Sequence, residues 1–301
     1  MRICVILNPA AGRGSAVEQV RDAVDSLPEV ELRVSPEPEA VRVLARSAVS
    51  EGFRRIVAAG GDGTVSAVAT ELRARASDSL RLECGVIPVG TGNDLAFALG
   101  IPTEVEAAVE LLRTGRARPV DAIRCGRSDT GPVRFAGSFA WNAIVGGFGG
   151  GVSDHLTPAR KRRWRRLAYY RAAVSELRRL APHQLRLVMD GHPVELELLM
   201  LVIANGDRTG GGIRLAPGAL PDDGALDVVG FRPGPALRTA ALAARVMAGR
   251  HFADPAVFHA RCRELSVEAD SSFRYNRDGE DWGGGDARFA LDTGALPFVR
   301  P

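Results

Sequence analysis

Short apolar runs and amphipathic stretches alternate up to about residue 120. Ile3–Leu7, Arg55–Ala59 and Cys84–Pro88 are apolar runs of strand length, and Glu31–Val34 is a further short strand candidate. Between them the period becomes that of a helix. Val17, Val20, Val24 and Leu27 recur at helix spacing behind Ser15, which has the chemistry of an N-cap. Residues 37–50 read as a helix stopped by Gly52. Thr64 opens another through Arg75, with Val65, Val68, Ala69 and Leu72 on one face. Thr103-Glu-Val-Glu106 has the capping-box pattern, begins a helix to Arg113, and meets a stop at Gly115. Strands alternating with helices predict a parallel α/β sheet. After Arg118-Pro-Val-Asp121 the pattern changes. Strand-like runs follow at 133–144, 184–189, 194–204, 225–231, 264–268, 273–276 and 288–291. Helical patterns interrupt them from Thr157-Pro158 to about Leu180, and from Pro235 to Ala248 before Gly249. Gly146-Gly-Phe-Gly-Gly-Gly151 is too rich in glycine for a strand and reads as a loop. The expected division is an α/β domain over 1–125 and a β-rich domain over 126–301, with roughly the last ten residues returning to the first.

Three strands of the first half empty into glycine-rich loops. Ile3–Leu7 leads into Asn8-Pro-Ala-Ala-Gly12-Arg-Gly14-Ser15, and Arg55–Ala59 into Gly60-Gly61-Asp62-Gly63. Cys84–Pro88 leads into Val89-Gly90-Thr91-Gly92-Asn93-Asp94. Open parallel sheets bind ligands outside the carboxyl ends of their strands, which is where all three loops lie. Glycines let backbone N–H groups approach a ligand with no Cβ in the way. The Gly60–Gly63 groups also end at a helix N-terminus, which attracts phosphate. An acid such as Asp62 repels phosphate unless a Mg²⁺ stands between them. The other reading is a tight turn with an Asx-type aspartate. The first loop is not a dinucleotide fingerprint, because Val17 occupies the third small position. Nor is it a Walker loop, because no Gly-Lys-Ser/Thr follows.

Composition narrows the partners. The 301 residues carry a net charge of +3, so the whole-molecule field does not call for nucleic acid. The four cysteines are scattered without a CxxC, so neither a disulfide framework nor a zinc site is expected and a reducing cytosol fits. The N-terminus runs straight into a strand with no signal-peptide pattern. No apolar run reaches the ~20 residues that span a bilayer. The expected location is cytoplasmic, or peripheral at the inner membrane surface. The densest basic run is Arg160-Lys-Arg-Arg-Trp-Arg-Arg166, opening a helix with Trp164, Leu167, Val174 and Leu177 on one face. It reads either as a membrane-surface contact or as a solvated helix face.

Asn8-Pro-Ala-Ala-Gly-Arg-Gly, Gly60-Gly-Asp-Gly-Thr and Pro88-Val-Gly-Thr-Gly-Asn-Asp together resemble the diacylglycerol kinase catalytic-domain family. Ala204-Asn-Gly, Gly210-Gly-Gly, Ala216-Pro-Gly-Ala219, Asp222-Asp-Gly-Ala-Leu-Asp227 and Asp278-Gly-Glu280 continue the match in family order. The resemblance implies a nucleotide-binding α/β domain, a second β-sandwich domain and an active site in the cleft between. It implies ATP and Mg²⁺ as cofactors and a lipid hydroxyl at the membrane surface as acceptor. Diacylglycerol, giving phosphatidic acid, is the first expectation. A sphingoid base, ceramide, a soluble acceptor such as NAD, or an inactive homologue are the alternatives. Carried over by position, Gly61, Asp62, Gly63, Thr64, Val65, Ser66 and Ala67 form the ATP loop, with Thr91 beside it. Asn8, Gly12, Gly14, Gly60, Gly90, Asn93 and Asp94 line the same edge. Ser35 falls where the family places a nucleotide-contacting threonine. The Asp223 carboxylate and the carbonyls of Leu220 and Ala225 resemble the Mg²⁺ site, although Asp222-Asp223-Gly also reads as a polar turn. Asp62 and Asp94 are further candidates for holding Mg²⁺, and Asp94 reads equally as a helix cap. Glu280 aligns with the proton acceptor. As a base it is expected to lie partly buried, with a raised pKa. Asp278 is placed to orient it, and Asp278-Gly279 is also a hairpin turn in its own right. The oligomeric state is open, a homodimer included.

Overall fold

The computed structural model describes residues 2–11, 14–25, 27–77, 79–127, 134–147 and 181–301. In the first half, β1 (Ile3–Leu7), α1 (Gly14–Asp25), β2 (Val30–Val34), α2 (Ala40–Ser50), β3 (Arg55–Gly60), α3 (Asp62–Arg73) and β4 (Glu83–Pro88) alternate. Strands β2, β1, β3 and β4 lie side by side and parallel. The side chains of β1, β3 and β4 are buried on both faces, which explains their apolar runs, whereas the edge strand β2 is only partly buried. One face packs on α2 and α3 through Val41, Ala45, Val68 and Leu72. The other packs on α1 and on α5 (Val105–Thr114), which follows the short α4 (Asp94–Ala98). Thr103 does not cap α5: Glu104 takes the N-cap position without a side-chain cap bond, and the Thr103 hydroxyl turns to the Glu104 carboxylate. Ser15 lies inside α1 rather than before it.

The strand-rich half begins with β5 (Arg116–Arg127), β6 (Arg134–Ala140) and β7 (Ala143–Gly146). It continues with β8 (His183–Met189), β9 (His192–Leu198), β10 (Met200–Ala204) and β11 (Leu226–Phe231). Then come α6 (Ala236–Met247), β12 (Val257–Cys262), β13 (Glu264–Glu268), β14 (Arg274–Arg277), β15 (Glu280–Gly284) and β16 (Ala287–Arg300). A six-stranded sheet runs β12-β11-β10-β7-β14-β15. It faces β5, β6, β8, β9, β13 and β16 across a core of Leu187, Leu201, Tyr275 and Phe289. The sandwich is continuous with the first sheet, because β16 pairs with β5, with β13 and, at Phe298–Cys84, with β4. The single run read at 194–204 is two strands broken at Leu199, and they join different sheets. The 288–291 run is the start of a 14-residue strand whose register shifts between Asp292 and Leu296. The basic segment Arg160–Arg166, and the helix read from Thr157 to Leu180, lie outside the described residues.

Candidate active site at the glycine loops

The three glycine loops meet at the carboxyl edge of the parallel sheet. Asn8 donates its Nδ2–H to the Thr64 hydroxyl at 3.0 Å, tying the first loop to the start of α3. The Val89 N–H reaches the Gly60 carbonyl at 3.1 Å, tying the third loop to the second. Glycine is required by close approach here. A Cβ on Gly90 would lie 2.4 Å from the Gly61 Cα, and one on Gly60 would lie 2.4 Å from the Thr64 hydroxyl. Asn93 adopts φ +56° and closes its own loop, accepting from the Gly90 N–H at 3.1 Å and donating to the Gly90 carbonyl at 3.0 Å. Asparagine tolerates that left-handed conformation better than most residues. Gly61 is the N-cap of the 12-residue α3 and no side chain caps it. Its first N–H groups therefore face the loop edge without a protein partner from a capping side chain. A Cβ-free cradle at a long helix's N-terminus fits a nucleotide's phosphates.

Not every residue carried over by position contributes a side chain to this edge. Val65 and Ala67 are buried against the sheet. Ser35 is fully buried at the end of β2, and its hydroxyl is committed to the Glu37 carbonyl. Thr91 is exposed at the loop tip. Gly14 opens α1, and Gly12 lies outside the described residues.

Three aspartates gather beside the loops, in different states. Asp94 is buried and accepts from the Gly211 and Gly212 N–H groups at 2.9 and 2.7 Å. It clamps the Gly210–Gly212 loop of the second half onto α4, and is not a cap. Asp278 accepts from the N–H groups of Trp141, Asn142 and Ala143 at 2.7, 3.1 and 3.1 Å, and from the Ser66 hydroxyl at 3.1 Å. Burial raises its pKa against those four donors. Asp62 accepts from the Leu95 N–H at 3.2 Å. Burial first, then the neighbouring Asp94 and Asp278 charges, push its carboxyl up to about 6, against the Leu95 and Asn93 N–H groups. Its negative charge is thus under-compensated next to an anion-attracting helix end. A cation or a transferred proton is what such a carboxylate lacks.

Glu280 departs from expectation. The Asp278–Gly279 turn, with φ +48° and +96°, joins β14 to β15 and pairs Arg277 with Glu280. Glu280 is exposed and lies 3.2 Å from the Arg277 guanidinium. The expected burial is absent because the two-residue turn points the first residue of β15 outward. Asp278, two residues earlier, takes the enclosed position.

The Leu220–Ala225 turn is tied to β5, its Pro221 carbonyl accepting from the Asp121 N–H at 2.8 Å. Asp223 pairs with Arg261 and accepts from the Ala225 N–H at 3.2 Å. Asp222 pairs with Arg300, and Asp121 accepts from the Gly224 and Gly294 N–H groups at 2.9 and 2.7 Å. Among the described residues no three His, Cys, Asp or Glu side chains converge to hold a metal. A cation at this turn would rest on one carboxylate already paired to Arg261, plus the two carbonyls.

Sequence reading missed the hub that locks the two halves together. Trp141 is fully buried and its Nε1–H donates to Thr70 of α3 at 3.0 Å. Asn205 donates to the carbonyls of Asp121 and Trp141, both at 2.8 Å, and Asn142 donates to the Arg208 carbonyl at 2.8 Å. The available signal was an asparagine inside an apolar run, at Trp141-Asn142-Ala143.

Known proteins agree with this arrangement. The diacylglycerol kinase catalytic domain matches residues 2–125, and the YegS C-terminal NAD kinase beta sandwich-like domain matches residues 143–300. A protein of Pseudomonas aeruginosa named "Probable lipid kinase YegS-like" is 34% identical over 295 residues, covering 96% of this chain and 92% of its own length. A protein of the same name from Stenotrophomonas maltophilia is 34% identical over 285 residues, covering 92% and 88%. In fold, a diacylglycerol kinase structure from Bacillus anthracis aligns over 100% of this chain and 97% of its own, with a TM-score of 0.75 at 20% identity. Yeast NADH kinase, solved with NADH, aligns over 99% and 82%, with a TM-score of 0.57 at 12% identity. Two domain matches in order and relatives alike over nearly the whole length place this chain in the YegS-like lipid kinase family, built on the diacylglycerol kinase catalytic domain.

Proposed function

We propose that this chain transfers the γ-phosphoryl group of ATP to the hydroxyl of diacylglycerol, forming phosphatidic acid. The observation that carries the reading is the Gly60–Gly63 turn, packed backbone to backbone on Gly90 and opening onto the uncapped end of α3 beside Asp62. Phosphoryl transfer asks mainly for positioning and charge neutralisation. ATP with its Mg²⁺ supplies the transferred group and the positive charge that offsets the developing negative charge. Gly61, Gly63 and Thr64 present backbone N–H groups to the phosphates. Asp62, whose carboxylate is under-compensated, would hold the compensating positive charge beside them. Asp94 and Asp278 spend their oxygens on the Gly210–Gly212 loop and the Trp141–Ala143 turn. They fix the second half against the loops and do not act on substrate.

Glu280 is assigned the acceptor proton. An exposed carboxylate is a weak base at neutral pH, so the role requires the bound lipid to displace Arg277 and shield Glu280 from water. Asp62, with its raised pKa, is the alternative base. Peripheral contact through Arg160–Arg166 belongs to the same reading. The test is ATP turnover by the full chain against diacylglycerol, sphingosine, ceramide and NAD, the lipids in mixed micelles. Turnover on diacylglycerol above the others supports the assignment. A preference for a sphingoid base or NAD replaces the acceptor while keeping the site, and no turnover on any of them overturns the proposal.

A further inference from the structure

Helix α6 has an outer face of the wrong polarity for water. Its inner face, Leu242, Ala243 and Val246, packs on the outer side of the six-stranded sheet. Leu237, Ala241, Ala244 and Ala248 follow one another at helix spacing on the opposite side, and all four are exposed. Met247 extends this stripe on one flank, and Arg238 and Arg245 line the other. A surface helix normally turns charged and polar residues outward. Leu237 is 85% exposed and Met247 39%. Arg245 is paired with the buried Asp254 carboxylate at 2.6 Å, and Arg238 and Arg250 are exposed, so the charge left over around the stripe is positive.

The helix is also connected to the glycine loops. Asp94 holds Gly211 and Gly212. The same loop then reaches the end of α6. The Leu215 carbonyl accepts from the Nε2–H of the buried His251 ring at 3.1 Å, and a Cβ on Gly249 would touch the Arg214 side chain at 3.4 Å. Near the start of that loop the Arg208 guanidinium lies 3.5 Å over the ring of Phe97, a half-exposed aromatic on α4. Exposed apolar groups flanked by arginine thus recur from α4 to α6.

We infer that the outer face of α6 is a docking surface for an anionic lipid bilayer, with Leu237 and Met247 entering the headgroup region and Arg238 and Arg250 on lipid phosphates. An apolar stripe with a basic border is the composition that lies in a membrane interface. Each arginine near an anionic surface adds to the attraction. Charge decides against a second copy of this chain as the occupant, since two such faces bring arginine against arginine. The inference rests on the lipid-kinase reading for its purpose but is measured without phosphoryl transfer.

The test is flotation of the full chain with vesicles of phosphatidylglycerol in phosphatidylcholine, against vesicles of phosphatidylcholine alone. The quadruple variant Leu237→Gln, Arg238→Gln, Met247→Gln, Arg250→Gln changes only exposed side chains. It should bind the anionic vesicles roughly tenfold more weakly, while its thermal unfolding and its turnover of a short-chain, water-soluble acceptor stay at wild-type values. A variant with Arg162, Arg163 and Arg166 changed to glutamine serves as the comparison. Vesicle binding unchanged in the α6 variant overturns the inference, whatever the comparison variant does. So does a change in oligomeric state with vesicle binding intact, which would make the face a contact between copies. If no acceptor is phosphorylated but α6 still governs vesicle binding, the functional reading fails and the docking surface stands.

Discussion

Two Asp-Gly turns of this protein look alike in sequence and differ in what their carboxylates have left to give. Gly60-Gly61-Asp62-Gly63 opens a long helix with no capping side chain, and the Asp62 charge is under-compensated. Pro221-Asp222-Asp223-Gly224 is tied off by Arg300, Arg261 and Asp121. Spare hydrogen-bonding and charge capacity marks a place where a ligand gains something by binding. A turn whose groups are already paired is built to hold the chain. By that criterion the first turn is where we propose the reaction takes place, and the second would act on substrate only if a cation displaced Arg261.

The comparison breaks most readily at Asp62. Asp62→Ala should cost about 3–4 kcal/mol of transition-state stabilisation, read as a fall in kcat with the protein still folded. Near-normal kcat would move the chemistry away from the first turn. Next is Glu280→Gln, which keeps the shape of the side chain but not its basicity. A drop in kcat of roughly 100-fold with unchanged ATP affinity assigns it the proton. Wild-type kcat under conditions where chemistry limits the rate passes that role to Asp62.

The third test uses stability and its pH dependence. The Asp62 carboxyl titrates ordinarily at 3.8 and here at about 6, so the folded protein favours its neutral form. The stability this group contributes is complete below about 3.8 and is lost as pH rises through about 6. Asp62→Asn should therefore be more stable than wild type at pH 7, by ~2–3 kcal/mol, with the gap closing in acid. Denaturant titrations at the two pH values measure this, and an equal gap at both would mean the carboxylate is not under-compensated. Gly90→Ala probes the packing of the two loops. Its Cβ would meet Gly61 backbone at 2.4 Å, which no side-chain rotation relieves. We expect about 1–3 kcal/mol of destabilisation together with a raised KM for ATP. An unaffected KM would separate the Gly90 loop from nucleotide binding. The smallest effect is expected at the second turn. If it takes Mg²⁺, the ion should raise the Tm of wild type by a degree or so and leave Asp223→Ala unmoved, and equal shifts would make the turn purely structural.

The glycine loops were legible because their geometry dictates composition. Gly60 and Gly90 have no room for a Cβ, and only a few residue types replace Asn93 at its φ. Parallel strands buried on both faces wrote themselves as apolar runs. The Asp278–Gly279 hairpin followed from the same turn chemistry, and Asp190-Gly191, which joins β8 to β9, carries that signal too. What did not show was anything set by distant partners. Asp278 meets Trp141 across 137 positions and Ser66 across 212, and nothing local distinguishes it from an ordinary turn aspartate. The orientation of Glu280 depends on which side of that turn faces Trp141. Strand β5 hid because Arg116, Arg118 and Arg124 interrupt its apolar pattern, its first four residues being largely exposed and Arg124 exposed within an otherwise buried run.

The central claim is that phosphoryl transfer to a lipid happens at the Asp62 loop. The measurement that meets it directly follows γ-labelled ATP incubated with diacylglycerol micelles and either wild type or Asp62→Ala. The account predicts label in phosphatidic acid with wild type, and about 100-fold less or lower with the folded variant. Equal label with both proteins, or label in no lipid at all, would contradict it.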